Sequence, residues 1–356
     1  MFTKESVDWL NKNSLFNKLE PDCFKRILVK CIAPKKDEDI LIISDKGFED
    51  KRIAPKIAAN YFMAAKELGL RPHLVIQEPK LRGEYAEEDV IRALQDLRKE
   101  NIIIMALSGK LGKIKGELGA SFRTFAKENN HRFISSISLG KVKKEHEHVV
   151  LDSMDVDYRE MQAKGIDVKS LLDNGNEVHI TTKAGTDLYF NIERKEAIAN
   201  TGEYVVPGSG GNIPAGEVYI APRWKKVEGT VVIDGSSACK GGTVLVKNPI
   251  RLKIEKDEVV DIKGKEEAKQ LRKTLEWAYR KAKYPWGIYR VGELGIGINP
   301  NSRIIGTTMV DEKTTGTAHI AMGSNYWFGG TIYAITHLDQ VFRDPKIEID
   351  DEVLKI

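Results

Sequence analysis

DILIIS (39–44), HLVIQ (73–77) and NIIIMALS (101–108) are the stretches that decide the fold of the first 150 residues. Each is a short apolar run of the length and composition of a strand buried on both faces, as in a parallel sheet. Helical patterns lie between them. Residues 51–69 place Ile53, Ile57, Tyr61, Phe62 and Ala65 at helical spacing, and residues 87–99 do the same with Val90, Ile91, Leu94 and Leu97. Strand signals that alternate with helix signals predict an α/β domain with an open, mostly parallel sheet. No GxGxxG follows the first run, which argues against a dinucleotide site. The glycines of GKLGKIKG (109–116) follow a strand signal but have neither P-loop nor Rossmann spacing.

From about residue 165 the texture changes. EVHITTKAGTDLYFNIERK (177–195) reads as a hairpin, two alternating runs around KAGT. EGTVVIDGSS (228–237) and PIRLKIEKDEVVDIKG (249–264) are strand-rich, with glycine and Asn-Pro punctuation. One long helix is expected over 265–283, with Leu271, Leu275 and Ala278 on one face. These patterns predict an α+β second domain. The polar stretch 150–175 suggests the boundary, giving an α/β domain over 1–160 and an α+β, metal-binding domain over 161–356.

The 356 residues exceed a typical single domain, and 41% of them are apolar, enough for substantial cores. A net charge of +4 gives no reason to expect a nucleic-acid partner, and the basic runs GKLGKIKG and KVKKEHEH (141–148) lack aromatics for base stacking. His146 and His148 in that second run read as a solvated loop. GSGGN (208–212) reads as a flexible turn, without the lysine and helix start of a phosphate loop. Ser236, Ser237 and Cys239 have no histidine near them in sequence, so a nucleophile there is weakly supported. The N-terminal sequence has charges throughout and no signal-type apolar core, and no run reaches membrane-span length. Cys23, Cys31 and Cys239 are odd in number and not in CxxC spacing. A cytoplasmic protein, with no membrane and no nucleic acid among its partners, is expected.

The chemistry is crowded into the last third. DEKTTGTAHIAMGSNYWFGGTIYAITHLDQV (311–341) holds Asp311, Glu312, His319, Tyr326, His337 and Asp339; GELGIGINP (292–300) adds Glu293, and NIPAGEVYIAP (212–222) adds Glu217. On a strand, His337 and Asp339 would share a face and reach one ion; the bland alternative has Asp339 orient His337 or cap a turn. His319, among small and apolar residues, reads alone as a core histidine. A glutamate embedded in apolar sequence is costly to bury unless it is paired or bound to a cation, and Glu217 and Glu293 are two such residues. With the two histidines and Asp339 they make five ligands of the kind divalent metals accept.

NIPAGEVYIAP, GELGIG, DEKTTGTAHIAMGSNY and HLD, in this order and with GTDLYF (185–190), resemble the M29 metallopeptidases, the aminopeptidase T family. The resemblance is strongest over 185–350. It implies Glu217, Glu293, His319, His337 and Asp339 as ligands of two divalent ions, zinc, cobalt or manganese, with Tyr326 at the metal centre. It further implies a homodimer that removes N-terminal residues from peptides. Trp224 is a possible contributor to such a dimer contact.

The expected activity is therefore that of a metallo-aminopeptidase, a hydrolase working by two-metal hydrolysis on a peptide or small-molecule substrate. Glu293 or Glu312 would shuttle the proton, and Tyr326 would donate to the oxyanion. The chain is shorter than the family's characterised peptidases. A nearby branch contains Fe(II) dioxygenases that open dihydroxypyridine rings, and this mononuclear alternative shares the scaffold. A mononuclear iron site typically takes two histidines and one carboxylate, which would leave Glu217 and Glu293 surplus; that surplus favours two ions.

Overall fold

The computed structural model describes residues 2–17, 19–114, 118–119 and 121–355. The chain forms two compact units, one of residues 1–158 with 202–215 and the other of residues 159–201 with 216–356. A single cut near 160 therefore does not describe it, because 202–215 returns to the first unit.

In the first unit the three apolar runs are strands of a five-stranded parallel sheet. Its order is Arg71–Gln77, Asp39–Asp45, Ile102–Ala106, Arg132–Ser136 and Gly210–Asn212. Alternate residues serve opposite faces. Leu41, Ile43, Ile103 and Met105 share one core with Val90 and Leu94 of the helix Glu88–Asp96. The helix Ile53–Glu67 also packs on the sheet and buries Ile53, Ile57, Tyr61, Phe62 and Ala65. GSGGN begins in a turn, at Gly208, but does not end in one. Its last three residues are the edge strand of this sheet, and a Cβ on Gly210 would lie 2.4 Å from the Phe133 ring. The end of the basic run GKLGKIKG, Lys115 and Gly116, lies outside the described residues. His146 ends a 3-10 turn and His148 lies in the helix Glu147–Met154, where the sequence suggests a loop.

The polar stretch expected at the boundary is largely the helix Tyr158–Asn174, which buries Met161, Val168 and Leu172 within the second unit. That unit contains two seven-stranded antiparallel sheets. One runs Glu258–Lys263, Ile250–Glu255, Val227–Ile233, Asp187–Asn191, Glu177–Thr181, Lys346–Ile349, Glu352–Val353, and contains the expected hairpin. The other runs Gly242–Leu245, Ser236–Cys239, His337–Arg343, Thr317–Gly323, Val291–Gly297, Glu217–Ile220, Ile198–Asn200. The helix Glu266–Lys281 buries Leu271, Leu275 and Ala278 and packs on the Ser236–Cys239 strand. The molecule is thus a mixed α/β structure with one parallel and two antiparallel sheets. Among the described residues no helix is long and apolar enough to cross a membrane.

Candidate metal centre

Four adjacent strands of the second antiparallel sheet present the acids and histidines on one face. Val291–Gly297 is buried throughout, and its period of two puts Glu293, Gly295 and Gly297 on one side, Leu294 and Ile296 on the other. Residues directly opposite in an antiparallel pair share a face. Gly297 is opposite Glu217, Gly295 is opposite Tyr219 and His319, Ala321 is opposite Glu293 and Asp339, and Gly323 is opposite His337. Functional side chains therefore have glycine or alanine across from them, which makes room where large groups would otherwise collide. A Cβ on Gly295 would lie 2.0 Å from His319 Nε2. A Cβ on Gly297 would lie 2.2 Å from the Thr314 carbonyl oxygen, so this glycine lets the 313–314 backbone close in.

The ionisable groups form a continuous chain in which acids and bases alternate: Glu312, Lys313, Glu217, His319, Glu293, His337, Asp339. Lys313 Nζ is 2.5 Å from Glu312 Oε1 and makes a short contact with Glu217 Oε1. His319 Nε2 is 3.8 Å from Glu217 Oε2 and 3.2 Å from Glu293 Oε1. His337 Nε2 is 3.4 Å from Glu293 Oε2 and 3.2 Å from Asp339 Oδ1. The Lys313 and His319 side chains are 0% exposed, those of Glu312 and Asp339 at the two ends 13% and 10%, and that of His337 23%. Asn200 Nδ2 also donates to Glu217 Oε1 at 3.0 Å.

Burial alone would lower both imidazoles, because it penalises charge. The charges of Asp339 and Glu293 outweigh it at His337, which is pushed up to about 10. The hydrogen bond and charge of Glu293, with Asp339 and Glu217, do the same at His319, pushed up to about 9. Burial works to raise the Asp339 carboxyl, but His337, His319 and Lys313 hold it below the usual carboxylate range. At Glu312 burial prevails over the attraction of Lys313, and the carboxyl is pushed up to about 8. Burial works against the Lys313 charge, yet Glu217 and Glu312 hold the ammonium above the ordinary lysine range.

Glu293, His337 and Asp339 bring one ligand atom each to within 4.8 Å of one another, the geometry of a group able to hold one metal ion. His337 Nδ1 donates to the Ser324 carbonyl at 2.8 Å, which fixes the ring and leaves Nε2 toward the two carboxylates. One imidazole and two carboxylates suit a divalent cation. The other expected residues lie differently. His319 sits against Glu293 as its hydrogen-bond partner, and Glu217 is engaged by Lys313 and Asn200. Glu312 is Lys313's second acid. Asp311 accepts from the backbone N–H groups of Ile305 and Thr307, at 2.7 and 2.9 Å, and staples that loop.

Tyr326 is 68% exposed and its ring packs on Tyr333, with centroids 6.2 Å apart. The neighbouring Trp327 and Phe328 both meet His337, with ring centroids at 4.9 and 6.2 Å. Sequence reasoning missed Lys313 altogether, since a lysine beside a glutamate reads as solvated; its nearest signal is its place inside the acid-rich DEKTTG segment.

Fold and trio together define a protein with a mixed imidazole–carboxylate centre on an antiparallel sheet. Residues 21–355 match the family described as NicX: 2,5-dihydroxypyridine 5,6-dioxygenase, and the chain belongs to that family. A 2,5-dihydroxypyridine 5,6-dioxygenase of Pseudomonas putida is 26% identical over 195 residues, 52% of this chain and 54% of the relative, so the match spans about half of that protein's length. The solved structure of a 2,5-dihydroxypyridine dioxygenase from Pseudomonas putida KT2440 superposes with a TM-score of 0.71 at 16% identity, covering 94% of this chain and 95% of the other. Wild-type AmpT from Thermus thermophilus superposes with a TM-score of 0.62 at 14% identity, covering 97% and 98%.

The fold is thus similar to that of the M29 family, as the sequence motifs imply. The expected metallo-aminopeptidase activity is not supported: the family and the relative are named for oxygen chemistry, so hydrolase, peptidase and protease are corrected to an oxidoreductase family. A family of this kind implies a metal, and the trio fits one.

Proposed function

We propose that this protein is a mononuclear Fe(II) dioxygenase that opens a dihydroxylated nitrogen heteroaromatic ring of the 2,5-dihydroxypyridine type. The observation that carries the reading is the family match over 21–355, which includes every residue of the trio. Glu293, His337 and Asp339 would hold the ion. When bound, Fe(II) supplies the one-electron chemistry that lets dioxygen react with a closed-shell aromatic ring.

The chain's own residues have separable tasks. The two carboxylates offset the charge of a dication, and the Ser324 carbonyl keeps His337 Nε2 turned toward it. His319 fixes one oxygen of Glu293, leaving Oε2 on the His337 side. The face of Trp327, 58% exposed and with its ring 4.9 Å from that of His337, suits stacking of a flat ring beside that histidine. The aminopeptidase argument from surplus ligands loses its force here, because Glu217 is matched by Lys313.

The test is dioxygen uptake by protein loaded anaerobically with Fe(II) and mixed with 2,5-dihydroxypyridine. One dioxygen consumed per ring lost is expected, with none after His337→Ala. Loaded wild-type protein that leaves this and related dihydroxypyridines intact would overturn the reading.

A further inference from the structure

The lysine end of the charge chain contains the acids that a second metal ion would need, and a protein cation already occupies it. We infer that the Lys313 ammonium is a built-in counter-ion filling the second half of the site, so that the chain takes a single divalent ion at Glu293, His337 and Asp339. The inference concerns metal stoichiometry and does not depend on which substrate is turned over.

Lysine is among the residues least often buried completely, and a fully buried one needs compensation. Lys313 is 0% exposed and lies against the carboxylate of Glu217, on the strand Glu217–Ile220, and the carboxyl group of Glu312, its neighbour in the chain. Glu217 Oε1 accepts from both Lys313 and Asn200, and Oε2 lies 3.8 Å from His319 Nε2. A protonated amine donates and has no lone pair to ligate a metal. A divalent ion at Glu217 would therefore have to displace an ammonium whose side chain is 0% exposed. The backbone holds it in place. The Asn299 N–H donates to the Lys313 carbonyl at 2.8 Å, the Lys313 N–H to the Val310 carbonyl at 3.1 Å, and Gly297 admits this segment against the sheet. At the opposite end the bases are imidazoles, which exchange a proton for a metal ion. The alternation of acid and base thus gives one exchangeable position and one permanent one.

The experiment is a Zn²⁺ or Mn²⁺ titration of chelator-treated protein by calorimetry, with elemental analysis after desalting. Wild type is expected to hold one equivalent, Lys313→Met two, and Lys313→Arg one. Adding Glu217→Gln to Lys313→Met should return the count to one. Two equivalents on wild type, or one on a folded Lys313→Met variant, would overturn the inference. If Lys313→Met is unfolded without metal, the expected result is that either ion restores its circular dichroism, with two equivalents retained; failure of both ions to restore it counts against the inference. Ring opening is measured separately, so its absence leaves the stoichiometric result untouched.

Discussion

The two ends of the buried charge chain lie on the same sheet face and contain the same type of acid, yet they differ in the base that answers it. At one end Glu293 and Asp339 meet His337, an imidazole with its other nitrogen tied to Ser324. At the other, Glu217 and Glu312 meet Lys313. An imidazole gives up its proton to become a ligand, while an ammonium in this setting remains a cation. Counting acids in a sequence does not by itself give the number of metal ions; the identity of the counter-charge has to be known as well.

The largest expected effect breaks the exchangeable end. Asp339→Ala or His337→Ala should abolish stable binding of a divalent ion, measured by elemental analysis after desalting; retention of a full equivalent would remove that residue from the ligand set. At the permanent end, Lys313→Met should destabilise the metal-free protein by about 3–5 kcal/mol, since it leaves buried carboxylates without their partner. Chemical denaturation measures this, and a change within experimental error would show that the lysine is not holding the pair.

Two smaller effects sharpen the contrast. Gly295→Ala puts a methyl group against His319 and should cost about 1–3 kcal/mol from overpacking. It should also weaken metal binding by roughly 10–100-fold, as expected when an outer partner of a ligand moves. Unchanged affinity with lowered stability would confine His319 to packing. Metal affinity should also fall with pH, by up to about tenfold per unit below the value near 10 to which His337 is pushed, because the proton and the metal compete for Nε2. The sign for stability in the metal-free protein follows from the same group. Its folded value lies above the unfolded value of about 6.5, so the stability it contributes is fully present below that pH and lost as pH rises through about 10. A pH-independent affinity between 6 and 9 would contradict this assignment. The smallest effect is at Tyr326, where Tyr326→Phe should change turnover less than about twofold, given a ring 68% exposed and packed on Tyr333.

The strands of the parallel sheet were legible because DILIIS and NIIIMALS are apolar without interruption, and the site strand His337–Arg343 because His337 and Asp339 alternate with buried residues. Clustering of Glu293, His337 and Asp339 followed from that alternation once the strands were adjacent. The helix Tyr158–Asn174 was obscured because its buried Met161, Val168 and Leu172 are diluted by charge. Gly210–Asn212 carries no strand signal of its own and is held by its neighbour in the sheet. Lys313 was invisible for a different reason: burial of a lysine depends on acids brought from Glu217, 96 residues away, and local sequence has no record of that distance. Tyr326 was named for the metal centre by resemblance alone, and local sequence has no sign that the turn Tyr326–Phe328 sets Trp327 beside His337.

A mononuclear, oxygen-consuming site is checked by the stoichiometry of iron and of dioxygen in one sample: protein loaded anaerobically with Fe(II), desalted, assayed for iron, then mixed with 2,5-dihydroxypyridine in an oxygen electrode. One iron per chain and one dioxygen consumed per ring opened are expected. Two metal ions per chain, or one iron with no dioxygen uptake on any dihydroxypyridine, would contradict such a site.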